Sequence, residues 1–136
     1  MNMEIEPFLL ASSIIGIIGL RLIRKNCPLC AEPYLPDIGL VQLLPPEVAD
    51  QAAFRRGAGC KECMQTGYSG RTSLSEMLVV DEVFREAVLQ KLPTRTLQDV
   101  AIKQGMRTLW QNGLRRVSEG HSPLEEILRV VAIDQL

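Results

Sequence analysis

This 136-residue sequence predicts an α+β fold, mostly helical, with a loop-rich middle stapled by a metal. Three observations predict it. Four cysteines, and no others, stand as Cys27-Pro-Leu-Cys30 and Cys60-Lys-Glu-Cys63. Residues 27–70 are broken by Pro28, Pro33, Pro36, Pro45 and Pro46 and by Gly39, Gly57, Gly59, Gly67 and Gly70, so no long regular element fits there. After residue 80, apolar side chains recur at helical spacing between start and stop signals.

Hydrophobic residues make up 46% of the chain and charged residues 23%, enough for a packed core in one domain or two small ones. With aromatics at 4% that core must be aliphatic, and a base-stacking platform is disfavoured. A net charge of −1 argues against a polybasic nucleic-acid binder.

Pro7 suits the first turn of a helix, where its missing N–H costs nothing. From there to Arg24 the residues are apolar on nearly all faces, which predicts a helix enclosed by other structure. Ser12, Ser13, Gly16 and Gly19 are small enough for close packing. A membrane anchor competes, because residues 8–20 are uncharged and Arg21, Arg24 and Lys25 follow. The uncharged run from Pro7 is only 14 residues, short of the roughly 17–25 that a spanning helix needs. Glu4 and Glu6 precede it where an export signal wants positive charge, and no small-residue cleavage site follows. A buried core helix is the expectation.

Within 27–70 one short helix, 46–54, is expected. Residues 72–80 alternate loosely, with Leu74, Leu78 and Val80 on one parity, and predict a strand. Asp81 can cap a helix running to about residue 91, with Val83, Phe84, Ala87 and Val88 on its inner face. Thr96-Leu-Gln-Asp99 has the form of a capping-box start to a helix that ends at Gln104, with Gly105 as its C-cap glycine. A second helix carries Met106, Leu109, Trp110, Leu114 and Val117 and stops at Gly120. Ser122-Pro-Leu-Glu125 combines an N-cap serine, proline at N1 and glutamate at N3. It opens a third helix presenting Leu124, Ile127, Leu128 and Val131. Three short helices on tight glycine turns predict a small C-terminal bundle.

Two C-x-x-C knuckles let four thiolates close a tetrahedron around one Zn²⁺ at a Zn–S distance of about 2.3 Å. The 29 residues between the pairs exceed the roughly 15–20 of the commonest ribbon spacing, so the insert must carry structure of its own. Disulfides and redox chemistry are the competing readings. Disulfides suit small secreted chains, and nothing here has the form of a cleavable export signal. A thioredoxin-like C-x-x-C explains one pair, not two. A closed four-thiolate site leaves no position for water, so zinc at Cys27, Cys30, Cys60 and Cys63 is expected to be structural.

No catalytic or cofactor-binding residue is assigned. No glycine is followed by lysine, so the G-x-x-x-x-G-K-[ST] phosphate loop is absent. Met77-Leu-Val-Val-Asp81-Glu82 has the form of a Walker B strand, but such runs are common where a strand precedes a helix, and Asp81 reads as an N-cap. His121, the one histidine, falls between Gly120 and Ser122 and reads as a solvent-facing turn residue. Trp110 reads as packing, and Arg55-Arg56 and Arg115-Arg116 as solvated surface.

As a string, the chain resembles the C-terminal part of the type II secretion and type IV pilus assembly ATPases over almost its whole length. Glu4-Ile-Glu-Pro-Phe-Leu-Leu-Ala-Ser-Ser13 resembles the helix that follows the family's histidine box, and Arg21-Leu-Ile-Arg24 leads into the first cysteine pair as it does there. Cys60-Lys-Glu-Cys63-Met-Gln-Thr-Gly67-Tyr-Ser-Gly70-Arg71-Thr72 resembles the second pair and its glycine-rich exit. Glu76-Met-Leu-Val-Val-Asp81, Gly105-Met-Arg-Thr-Leu109 and Leu124-Glu-Glu-Ile-Leu128 continue the series in order.

The resemblance implies a homo-hexameric, RecA-like motor, cytoplasmic and peripheral to the inner membrane, whose ATP and Mg²⁺ cycle drives pseudopilus or pilus assembly. Inner-membrane platform proteins are its implied partners, and the tetracysteine segment favours the assembly and secretion branch over retraction motors. Walker A, the aspartate box, Walker B and the histidine box are missing, so no nucleotide chemistry carries onto any residue here. Leu20 stands where the family usually has glutamine. The expected organisation is a remnant of the RecA-like ATPase domain over 1–26, the zinc segment over 27–70, a strand and helix returning to the ATPase core over 71–92, and a helical subdomain over 93–136. The chain is expected to be a truncated, split or rearranged gene product, inactive alone and partnered by the missing N-terminal ATPase half or other motor subunits. No nucleic-acid partner is expected. Two readings of other classes compete: a stand-alone structural zinc module contacting protein or nucleic acid, and a small membrane-anchored zinc protein using residues 8–20.

Overall fold

The computed structural model describes residues 6–131. Glu4 and the last five positions of the expected helical subdomain lie outside them. Among the described residues the order is α1 (Pro7–Ser13), β1 (Gly16–Asn26), β2 (Ala31–Pro33), α2 (Ile38–Val41), α3 (Pro46–Gln51), β3 (Arg55–Gly57), β4 (Tyr68–Val79), α4 (Glu82–Leu89), α5 (Thr94–Lys103), α6 (Leu109–Ser118) and α7 (Leu124–Val130). This is a mostly helical α+β chain. β1 pairs with β4, and β2 with β3.

The largest departure from expectation is at the start. Residues 8–20 are not one buried helix. Pro7 does open α1 at its first turn, but the helix ends at Ser13 and the chain turns extended through Ile14 into β1. Ile14, Ile15, Ile17 and Ile18 are β-branched and favour a pleated strand, while a run apolar on every face also describes a strand suited to cover on both sides. Periodicity alone does not separate the two. Gly16 and Gly19 serve strand pairing rather than helix packing: a Cβ on Gly16 would lie 3.2 Å from the Leu78 carbonyl oxygen. Most of the expected burial is also absent, although Ala11 is buried and Ile14 packs on a core. Phe8 and Ile15 are 67% and 80% exposed, and Ile17, Ile18 and Leu20 are exposed as well. Among the described residues no helix is long and apolar enough to cross a membrane.

The chain divides into two compact units. One comprises Met1–Gly19 with Glu76–Thr108. Its core is Val80, Phe84 and Ala101, with Leu78, Val88, Leu97, Val100 and Met106 packed against it. Asp81 caps α4 as expected, its carboxylate accepting the Phe84 N–H at 2.9 Å and a bond from Gln104 Nε2 at 2.6 Å. Val83 faces solvent rather than the core. α5 begins at Thr94 behind Pro93, with no side-chain cap, so Thr96 lies inside its first turn and caps nothing. Pro93, extended at φ −56° and ψ 148°, sets that start. Gly105, at φ +97°, ends the helix as expected.

The other unit comprises Leu20–Ser75 with Leu109–Leu136. Ile23, Leu44, Leu74, Leu109, Trp110, Leu114, Val117, Leu124, Ile127 and Val131 form its core, aliphatic apart from Trp110. Each fully buried aliphatic side chain there contributes roughly 1.5–3 kcal/mol. α6 and α7 pack on each other in this unit, whereas α5 packs on α4 in the first. Gly105 and Gly120 mark the ends of α5 and α6 as expected, but amphipathic faces do not say which neighbour covers a helix. Ser122 is also not the cap of α7: its buried hydroxyl donates to the Arg24 carbonyl at 2.9 Å, and Pro123 takes the N-cap position. Tyr34 does the capping instead, its hydroxyl accepting the Leu124 N–H at 3.1 Å and donating to Glu125 at 2.6 Å.

Candidate metal centre

The two cysteine pairs are brought together by the short β2–β3 ladder. β1 ends at Asn26, and Cys27 follows at once, its N–H donating to the Gly67 carbonyl at 2.9 Å. The first knuckle closes when the Cys30 N–H donates back to the Cys27 carbonyl at 3.3 Å. β2 leaves that knuckle and β3 returns to it antiparallel, with Ala31 opposite Gly57 and Pro33 opposite Arg55. The Ala58 N–H then donates to the Cys30 carbonyl at 2.9 Å and sets Cys60 beside the first pair. The insert between the pairs thus carries this ladder, α2 and α3, of which only the helix near 46 was expected.

Glycine is required where the return loop crosses. A Cβ on Gly57 would lie 1.9 Å from the Gly67 carbonyl oxygen, and one on Gly67, at φ +75°, would lie 2.4 Å from that of Gly57. Any side chain at either position would part the crossing that holds the knuckles together.

The four sulfurs lie within 4.8 Å of one another. Cys27 to Cys60 and Cys30 to Cys63 are each 3.9 Å, and Cys60 to Cys63 is 3.6 Å. The edge of an ideal tetrahedron with metal–sulfur bonds of about 2.3 Å is about 3.8 Å. The donor set and its spacing therefore fit one tetrahedral ion. All four cysteines are unbridged, and no carboxylate or histidine joins the group among the described residues.

Backbone N–H groups point at the sulfurs, as thiolate ligands require. Gly59 donates to Cys30 at 3.3 Å, and Cys60 and Gly67 donate to Cys63 at 3.2 Å and 3.3 Å. Burial pushes the Cys30 thiol up to about 12 despite its Gly59 donor. Burial also opposes ionisation of Cys63, but the Cys60 and Gly67 N–H groups, with the neighbouring Cys60 and Cys30 thiols, outweigh that and bring it down to about 6. A cation bound among these sulfurs would draw off their protons.

Sequence reasoning missed the residue that anchors this centre. Asn26, beside Cys27, donates through Nδ2 to the Arg55 carbonyl at 2.8 Å and the Gly120 carbonyl at 2.9 Å, and its own N–H donates to His121 at 2.8 Å. Arg55 and Arg56 are more than solvated surface. Arg55 Nη2 donates to the Ala31 carbonyl at 2.6 Å, and the Arg56 guanidinium lies 5.1 Å from the centre of the Tyr34 ring. His121 is an exposed turn residue, as expected, with Nδ1 3.1 Å from Oε2 of Glu119.

An α+β chain whose four cysteines converge at the end of a strand ladder is a protein with a tetrathiol cluster that could hold one metal ion. Comparison gives the family. The model of the type II/IV secretion system protein family matches residues 1–129, and the chain belongs to that family. It is 39% identical over 129 residues to type II secretion system protein E of Pseudomonas aeruginosa, covering 95% of this chain and 26% of that protein. It is 34% identical to type II secretion system ATPase E of Vibrio cholerae, covering 95% of this chain and 25% of that protein. It is 34% identical to type IV pilus assembly ATPase PilB of Thermus thermophilus, covering 93% of this chain and 14% of that protein. The chain spans about a quarter or less of these relatives.

Proposed function

We propose that this chain is the zinc-bearing C-terminal portion of a motor ATPase that assembles a pseudopilus or pilus, and that Cys27, Cys30, Cys60 and Cys63 hold one structural Zn²⁺. The convergence of four thiols at tetrahedral spacing, in a member of the secretion family, carries the reading. Zinc would fix the ends of the β2–β3 ladder and hold a proline- and glycine-rich segment in one shape. The module then presents a rigid surface to the inner-membrane platform proteins of the machine, from the cytoplasmic side. ATP and Mg²⁺ are the business of the remaining three quarters of such a motor, which works as a homo-hexamer. Nothing in residues 1–136 has the sequence of a phosphate loop, and Asp81 is occupied as a helix cap.

The test is a chimera. The matching segment of the Pseudomonas aeruginosa relative is replaced by this chain, and secretion is measured in cells lacking that relative. Restored secretion, lost again when Cys60→Ser is introduced, supports the reading. A stable, hexameric, zinc-loaded chimera that hydrolyses ATP yet secretes nothing, or whose secretion ignores Cys60→Ser, counts against it.

A further inference from the structure

We propose that Arg24, Arg71 and Arg129 form a binding site for a phosphate-bearing anion. These three arginines and Leu22 line one cleft of about 410 Å³ in the second unit. The site depends neither on the motor reading nor on the metal.

Arg24 and Arg129 are both held by Glu126, whose side chain is wholly buried. That carboxylate takes Arg24 Nε at 3.1 Å and Nη2 at 2.6 Å, and Arg129 Nε at 2.9 Å and Nη2 at 2.7 Å. The Arg24 guanidinium also stacks on Tyr68 at 4.0 Å from the ring centre. Two arginines are thus held in fixed orientation, each with Nη1 making no further bond among the described residues. Arg71 pairs with no carboxylate among them. Three arginines and no carboxylate line the cleft, and the one carboxylate that holds Arg24 and Arg129 is out of solvent. The surplus matches a doubly charged anion, and planar guanidinium forks match phosphate oxygens two at a time. Ordering two long side chains before the ligand arrives removes much of the entropy cost of binding it.

The phosphate could arrive free or on a lipid headgroup, and the experiment separates these. Zinc-loaded, ¹⁵N-labelled full chain is titrated with inorganic pyrophosphate, and separately with phosphatidylglycerol vesicles against phosphatidylcholine vesicles, following the arginine Nε–H resonances. We expect saturable shifts at Arg24, Arg71 and Arg129 in at least one arm, with Arg115 and Arg116 nearly still. Pyrophosphate alone producing them identifies a soluble phosphate ligand. Phosphatidylglycerol alone producing them identifies a headgroup. Arg71→Ala removes the one arginine that Glu126 does not hold, so the fold should persist while binding weakens about tenfold, the loss of one charge-assisted contact. The resonance map of the unmodified chain stands even where that variant fails to fold. No saturable shift in either arm, equal shifts at Arg115 and Arg116, or a folded Arg71→Ala that binds unchanged overturns the proposal.

Discussion

Arg24 grips Glu126 twice. Its backbone N–H donates to Oε1 at 3.0 Å and its guanidinium to Oε2 at 2.6 Å, so β1 and α7 share one buried carboxylate. Burial alone would raise the pKa of Glu126, but bonds from Arg129 and Arg24 outweigh it and hold the group at about 2, against 4.5 unperturbed. The folded-state value is the lower one. The carboxylate therefore contributes stability that is full above pH 4.5 and is lost as pH falls toward 2. The contribution is on the order of 3 kcal/mol. Glu126→Gln should lower unfolding free energy by about 2–3 kcal/mol at neutral pH, since both arginines are half exposed and water partly compensates them. In urea titrations the gap between the two proteins should narrow as pH falls from 4.5 toward 2. A gap independent of pH would show that the pair does not stabilise the fold.

The metal should be coupled to local order. Binding free energy in small zinc peptides is about 10–16 kcal/mol apparent at neutral pH, far more than a three-residue ladder supplies. Chelation should therefore expose the amides of β2 and β3 to hydrogen exchange while those of α4 and α5 keep their protection. Protection of Ala31, Arg55 and Gly57 that survives full chelation would contradict the stapling role.

Gly113 sits where α6 meets α7. A Cβ there would lie 2.5 Å from Cγ2 of the fully buried Ile127. Gly→Ala inside a helix normally gains about 1 kcal/mol, and overpacking a core typically costs about 1–3 kcal/mol. Ile127 has no room to yield, so Gly113→Ala should destabilise by roughly 1 kcal/mol net. Restored stability on adding Ile127→Val would locate the clash. A stabilised single variant would show that α7 shifts freely.

The opening segment should make the isolated chain sticky. Phe8, Leu9, Ile15, Ile17 and Ile18 are exposed together in sequence, and soluble monomers rarely leave a contiguous apolar patch above a few hundred Å². Sedimentation should show concentration-dependent self-association that Phe8→Lys with Ile15→Lys reduces without loss of helical signal. A monomer at all concentrations would mean that these side chains need no cover.

These cases show what could be read in advance. Asp81 and Gly105 act through neighbours a few residues away, so capping chemistry placed them correctly. The cysteines were legible because thiol pairs at knuckle spacing have few other uses, and geometry then brought all four sulfurs together. Residues 14–18 were misread because β-branched residues apolar on both faces fit a buried helix as well as a strand. The cap of α7 was misread because Tyr34, ninety residues away, displaced Ser122. Asn26 and Glu126 act at long range on partners that no local pattern names.

The central claim is tested most directly by the zinc-to-chain ratio of protein purified under reducing conditions. One zinc per chain is expected, falling well below one in Cys60→Ser. A ratio under about one half in properly folded, unmodified protein would contradict a four-thiolate zinc centre of the affinity such sites show.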